Sequence, residues 1–155
     1  MAGPWDDYVT PIRQFARNLG VAFQILNDLK DWRGDDNNKL AAGGDILGGR
    51  PTVLWALALE GLSQEKQDEL LGLAENDDRA ADYRVSRVRQ LYNEAGVFEK
   101  ANRLVDKHQQ RAEAIADEIQ PEELRRLFYY LIDTVLERSE SEPTIVETTL
   151  VNDLT

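Results

Sequence analysis

The chain is 155 residues long and 42% hydrophobic, enough for one domain with a real core, and 29 acidic against 18 basic side chains give it a net charge of −11. That charge sets the field of the whole protein against nucleic-acid backbones and anionic membrane surfaces, so an anionic ligand needs a local device such as a metal ion. With no cysteine and a single histidine, disulfides, thiolate zinc sites and cysteine nucleophiles are excluded, and histidine-rich metal centres and serine–histidine triads are set aside. Carboxylate chemistry remains.

Apolar residues recur throughout at helical rather than alternating spacing, which predicts an all-α fold. A first helix is predicted over residues 5–32, with Ile12, Phe15, Ala16, Leu19, Ala22, Phe23 and Leu26 as its core face; Pro11 either bends it or marks a later start. Glycine and proline then concentrate between Gly34 and Pro51. Pro51 suits a first helical position, and residues 52–60 are apolar on nearly every side until Gly61, the pattern of a helix buried all round. Ser63 is a good N-cap for a polar helix reaching Glu75, Asn76-Asp77-Asp78 makes a turn, and a further helix covers residues 80–94. Gly96 separates it from a long amphipathic helix over 97–119. Pro121 opens a last helix, ending near Arg138, with Leu124, Leu127, Phe128, Leu131, Ile132, Val135 and Leu136 as one stripe. Residues 139–155 read as a flexible tail.

Within this frame Trp55, Tyr129 and Tyr130 read as core, His108 as a solvated side chain, and Glu113, Asp117, Glu118, Glu122 and Glu123 as a solvated face. No run of about 18 apolar residues is present to span a bilayer. The first residues have neither the basic lead nor the apolar stretch of a secretory signal, so a cytoplasmic protein without an integral membrane segment or a nucleic-acid partner is expected.

The informative stretch is Phe23-Gln-Ile-Leu-Asn-Asp-Leu-Lys-Asp-Trp-Arg-Gly-Asp-Asp36. On a helix Gln24, Asn27, Asp28, Asp31 and, if the helix continues, Asp35 fall on one polar stripe, flanked by Phe23 and Leu26 on one side and Ile25, Leu29 and Trp32 on the other. Two carboxylates so placed repel each other unless a cation sits between them. Hard oxygen donors with no nitrogen or sulfur nearby suit magnesium, which takes one or two carboxylates and completes its shell with water and phosphate. The same two aspartates fit the wet face of an amphipathic helix. Lys39, Arg50 and the glycines Gly43, Gly44, Gly48 and Gly49 add cations and permissive backbone where the acidic helix ends, as a metal-bridged diphosphate needs.

Residues Gly20-Val-Ala-Phe-Gln-Ile-Leu-Asn-Asp-Leu-Lys-Asp31, followed by Gly43-Gly-Asp-Ile-Leu-Gly-Gly-Arg-Pro-Thr52, resemble the second aspartate-rich region of the trans-isoprenyl diphosphate synthases, or polyprenyl synthetases. The resemblance continues to Leu124-Arg-Arg-Leu-Phe-Tyr-Tyr-Leu-Ile-Asp-Thr-Val-Leu-Glu-Arg138 and takes in nearly all of the chain but its tail. It implies that residues 1–138 form the C-terminal half of an isoprenoid-synthase-type helical bundle. In that family two aspartate-rich helices face each other across a cavity and hold magnesium ions that bind an allylic diphosphate. Diphosphate leaves, and the double bond of isopentenyl diphosphate attacks the allylic cation.

The resemblance thus implies Asp28, Asp31 and Asn27 as magnesium ligands, and Gln24, Arg50 and Lys39 as diphosphate contacts. Phe23, Asp35, Asp45 and Thr52 become supporting residues, and no catalytic side chain acts independently of the metal. Asn27 stands where the family has an aspartate, Arg50 where it has a lysine, and Lys39 is one residue out of register. Asp45 and Thr52 are open to a purely structural reading. The first aspartate-rich motif has no counterpart in the sequence, so a prenyltransferase that is inactive or weakly active alone is expected. Its expected partner is a second copy, or a complementary N-terminal half or subunit, with Trp55, Leu59 and Phe128 as candidates for the exposed contact surface. A non-catalytic regulatory subunit of a synthase and a terpene synthase-like fragment are the alternative readings.

Overall fold

Asp6 and Asp7 in the first turn and Lys30 in the last complement the dipole of a helix that runs unbroken from Asp6 to Trp32 (α1), with Pro11 inside it. The computed structural model describes residues 5–32, 52–75 and 80–137. Among these residues every regular element is helical, as the spacing predicts: α2 (Val53–Gly61), α3 (Gln64–Ala74), α4 (Ala81–Ala95), α5 (Val97–Glu118) and α6 (Glu122–Val135) follow α1. None of these helices is long and apolar enough to cross a membrane. Residues 138–155, assigned above to the end of the last helix and a tail, lie outside the described residues.

The most extensive packing is between α1 and α5. Ala22 on one and Ala101, Ala112 and Ala116 on the other are wholly buried, and such short side chains let two helix axes approach closely. Larger residues fill the flanks: Phe15, Ile25 and Leu29 from α1, and Leu54, Leu70, Leu73, Val85, Val88 and Leu91 from α2, α3 and α4. Phe15 and Phe128 stack with ring centroids 3.9 Å apart, pinning α6 to α1.

Polar side chains close the helix ends. Gln67 Nε2 donates to the carbonyls of Leu59 (2.8 Å) and Leu62 (2.9 Å), which α2 leaves open. The Arg84 guanidinium does the same for α3, donating to Leu73 O (2.6 Å) and Glu75 O (3.2 Å). Arg87 grips Glu69 through two hydrogen bonds, tying α4 to α3.

The corner between α4 and α5 depends on Gly96, which adopts φ +67° and donates its N–H back to Asn93 O at 3.2 Å. A side chain there has room but meets left-handed backbone strain. Gly96→Ala is expected to cost about 1–2 kcal/mol, read as a lower urea midpoint with an unchanged slope.

Several core assignments shift. Ile12, Ala16 and Phe23 are exposed, and the buried face of α1 is Phe15, Leu19, Ala22, Ile25, Leu26, Leu29 and Trp32. Apolar residues lie on most sides of this helix, so periodicity alone could not choose which side meets α5. In α2 only Leu54 and Ala58 are buried, while Trp55 and Leu59 are half-buried, because its neighbours cover one side. In α6, Phe128 is buried rather than exposed, and Leu127 and Tyr130 face outward instead of joining the core.

Candidate functional site

Steps of three and four residues put Gln24, Asn27, Asp28 and Asp31 on one stripe of α1, and the structure leaves Gln24, Asn27 and Asp31 exposed and Asp28 half-buried. The apolar flanks are unequal. Leu26, Ile25, Leu29 and Trp32 all turn into the core, whereas Phe23 is 42% exposed beside Gln24.

Aromatic packing fixes the end of α1 that carries the aspartates. Trp32 lies 5.0 Å from Tyr92 of α4 and 6.3 Å from Phe98 of α5, centroid to centroid, and these two rings are 6.0 Å apart. The guanidinium carbon of Arg89 sits 5.3 Å from the centre of the Trp32 ring. Two helices, α4 and α5, thus hold the last turn of α1 before any ligand arrives.

Tyr92 is the residue that sequence reasoning missed. It is wholly buried, and burial holds its phenol far above the usual tyrosine range. Nearby Thr52 opposes that shift from a position short of good hydrogen-bond geometry, and the negative charge of Asp28 adds to it. The hydroxyl therefore stays protonated where α1, α4 and the start of α2 converge. In the sequence Tyr92 follows Leu91 as one more apolar-register residue, and nothing there links it to Asp28.

Thr52 has a structural assignment: its Oγ1 accepts from Trp55 N at 3.3 Å and caps α2. Asp35, Lys39, Asp45 and Arg50 lie outside the described residues. Asp6 and Asp7, also on α1, are exposed at its first turn, the ordinary place for acidic residues.

Among the described residues no group of three or more histidine, aspartate or glutamate side chains could hold a metal ion. Two carboxylates and an amide oxygen on successive turns nevertheless fit magnesium as a partial donor set, since this ion keeps several positions for water and phosphate. Behind the acidic end, the same face of α1 is apolar: Phe23, Ile12, Val9 and Trp5 are exposed at 42%, 42%, 39% and 74%, with Ala16 and Gly20 exposed between them. One helix face thus joins an acidic end to an apolar row.

A family model described as Polyprenyl synthetase matches residues 1–94. Across 89% of its length the chain is 24% identical to a short chain isoprenyl diphosphate synthase of Methanothermobacter thermautotrophicus, and the match spans 42% of that relative. It is also 35% identical, over 63 residues, to an all-trans-nonaprenyl-diphosphate synthase (geranyl-diphosphate specific) of Rhodobacter capsulatus. That match takes in 40% of this chain and 19% of the relative. No solved structure matches the chain significantly.

Proposed function

The chain belongs to the polyprenyl synthetase family, and from that premise we propose that it supplies one wall of a magnesium-dependent site joining an allylic diphosphate to isopentenyl diphosphate. The observation that carries this reading is the two-part face of α1, acidic from Gln24 to Asp31 and apolar from Trp5 to Phe23. It has the polarity of a prenyl diphosphate, with a charged head and a hydrocarbon tail.

Asp28 and Asp31, with Asn27, hold magnesium in this reading, and Gln24, Lys39 and Arg50 contact diphosphate oxygens. Asp35, Asp45 and Thr52 are supporting residues in this reading. Magnesium, when bound, supplies the charge that stabilises departing diphosphate. The chain's own residues orient the substrate: Gln24, Lys39 and Arg50 fix its head, the carboxylates would hold the ion beside it, and Phe23 with the apolar row behind it directs the tail and excludes water. A calorimetric titration with an allylic diphosphate tests the assignment. Binding in magnesium and none in EDTA is the expected result; no binding in either overturns it.

The chain spans 42% of the first relative's length, and in this reading a second copy, or a complementary N-terminal half or subunit, completes the site. The exposed row Trp5, Val9, Ile12 and Phe23 gives such a partner an apolar surface to cover. Light scattering at micromolar concentration is expected to report self-association that Ile12→Ser weakens. A monodisperse monomer sinks the second-copy form of this proposal. The regulatory-subunit alternative differs in one readout, a change in product length when the chain is added to a complete synthase.

A further inference from the structure

A polar groove lies between the N-terminal half of α1 and the C-terminal half of α5. It is open to solvent, has a volume of about 570 Å³ and is lined by Gln14, Arg17 and Asn18 from α1 and by His108, Arg111 and Ile115 from α5. Two guanidiniums and an imidazole converge here in a protein of net charge −11. The two guanidiniums repel one another, and an anion between them converts that repulsion into attraction. The forked donors of arginine match phosphate oxygens two at a time, Gln14 adds a neutral donor, and Ile115 offers an apolar patch beside them. The volume falls in the ordinary range for a small-molecule site.

We propose that this groove binds the phosphate group of a small soluble organic phosphate, held by Arg17 and Arg111 and completed by His108. The proposal is independent of the prenyl-transfer reading, which gives none of these residues a role.

His108 makes the binding proton-linked. It is half-buried, not free in solvent as its polar sequence context predicts, and its Nδ1 donates to Asn18 Oδ1 at 2.9 Å, which leaves Nε2 to take up the proton. Burial first, then the charges of Arg111 and Lys107 on its own helix and of Arg17 across on α1, hold the imidazole below its usual range. A bound phosphate screens those three cations and favours imidazolium. The pKa of His108 is therefore higher in the complex than in the free protein, and at fixed ligand charge affinity rises as pH falls through that interval.

Because His108 is the only histidine, its ring proton signal identifies itself in an NMR spectrum. The experiment titrates the whole chain with inorganic phosphate and with glycerol 3-phosphate, in EDTA and at constant ionic strength. A saturable shift is expected, with the His108 pKa raised by about one unit, equivalent to tenfold linkage. Arg17→Gln and Arg111→Gln, each on an exposed side chain and checked for helicity, are expected to abolish it. Asp28→Asn/Asp31→Asn keeps it, which separates this groove from the proposed metal site. An unchanged titration overturns the proposal, as does a shift that survives both arginine variants. Preferential binding to phosphatidylglycerol vesicles overturns the assignment to a soluble ligand.

Discussion

Alanine at both Asp28 and Asp31 is expected to lower magnesium-dependent affinity for an allylic diphosphate by more than about 100-fold, the effect of removing the ion's direct ligands rather than their supporting partners. The fold should tolerate the change. Asp31 is exposed and Asp28 half-buried, while Trp32, Tyr92 and Phe98, which hold this end of α1, are untouched. Substitutions at such positions ordinarily move stability by about 0.5 kcal/mol or less, so unfolding midpoints serve as the control. Asp28→Asn/Asp31→Asn keeps oxygen donors in place and removes only charge, so retained affinity there would mean that geometry rather than charge holds the ion. Asn27→Asp tests the opposite direction. It adds a third carboxylate to the stripe, and an ion whose affinity follows ligand charge should bind more tightly. Calorimetry on the four proteins gives the order expected, Asn27→Asp above the parent and the double alanine last. Equal affinities across the set would remove Asp28 and Asp31 from the site.

The helices were legible because their apolar residues recur at helical steps and their ends carry recognisable punctuation: Ser63 before α3, Gly96 between α4 and α5, Pro121 before α6. At α2 the reading of Pro51 as the first helical residue is corrected, because Thr52 is extended and caps a helix that begins at Val53. The sense of each face was harder. Periodicity placed Ile12 and Phe23 in the core, yet α1 buries the side centred on Phe15, Ala22 and Leu29 against α5. Which side a broadly apolar helix buries depends on its neighbour, and the neighbour is not written in the helix itself. The candidate site divides in the same way. Gln24, Asn27, Asp28 and Asp31 are fixed relative to one another by helix geometry, so their shared stripe could be read from spacing. Tyr92 and the Asn18–His108 hydrogen bond could not, because residues 64 and 90 positions apart along the chain meet only through packing.

Phe15→Ala is expected to cost about 3–5 kcal/mol, the range for truncating a buried aromatic, and to lower the thermal midpoint by about 10 °C. Phe15 is 3% exposed and Phe128 4%, and their rings lie within 15° of parallel. Removing either leaves a ring-sized void beside the other, and α6 has little else on α1 to hold it. Phe128→Ala should therefore cost a similar amount, and the double variant less than the sum, because the first truncation has already dissolved the stack. Outward-facing Leu127→Ala and Tyr130→Ala on the same helix are expected to stay within about 0.5 kcal/mol. Hydrogen exchange distinguishes local from global effects: lost protection confined to α6 means that the helix undocks alone, whereas a uniform loss means the stack belongs to one cooperative core. The end of α1 that bears Asp28 and Asp31 is pinned separately, by Trp32 against Tyr92 and Phe98. Below its lowered midpoint, Phe15→Ala should accordingly bind magnesium and diphosphate as the parent chain does; a parallel loss of binding would mean that α6 and the acidic stripe are coupled through α1.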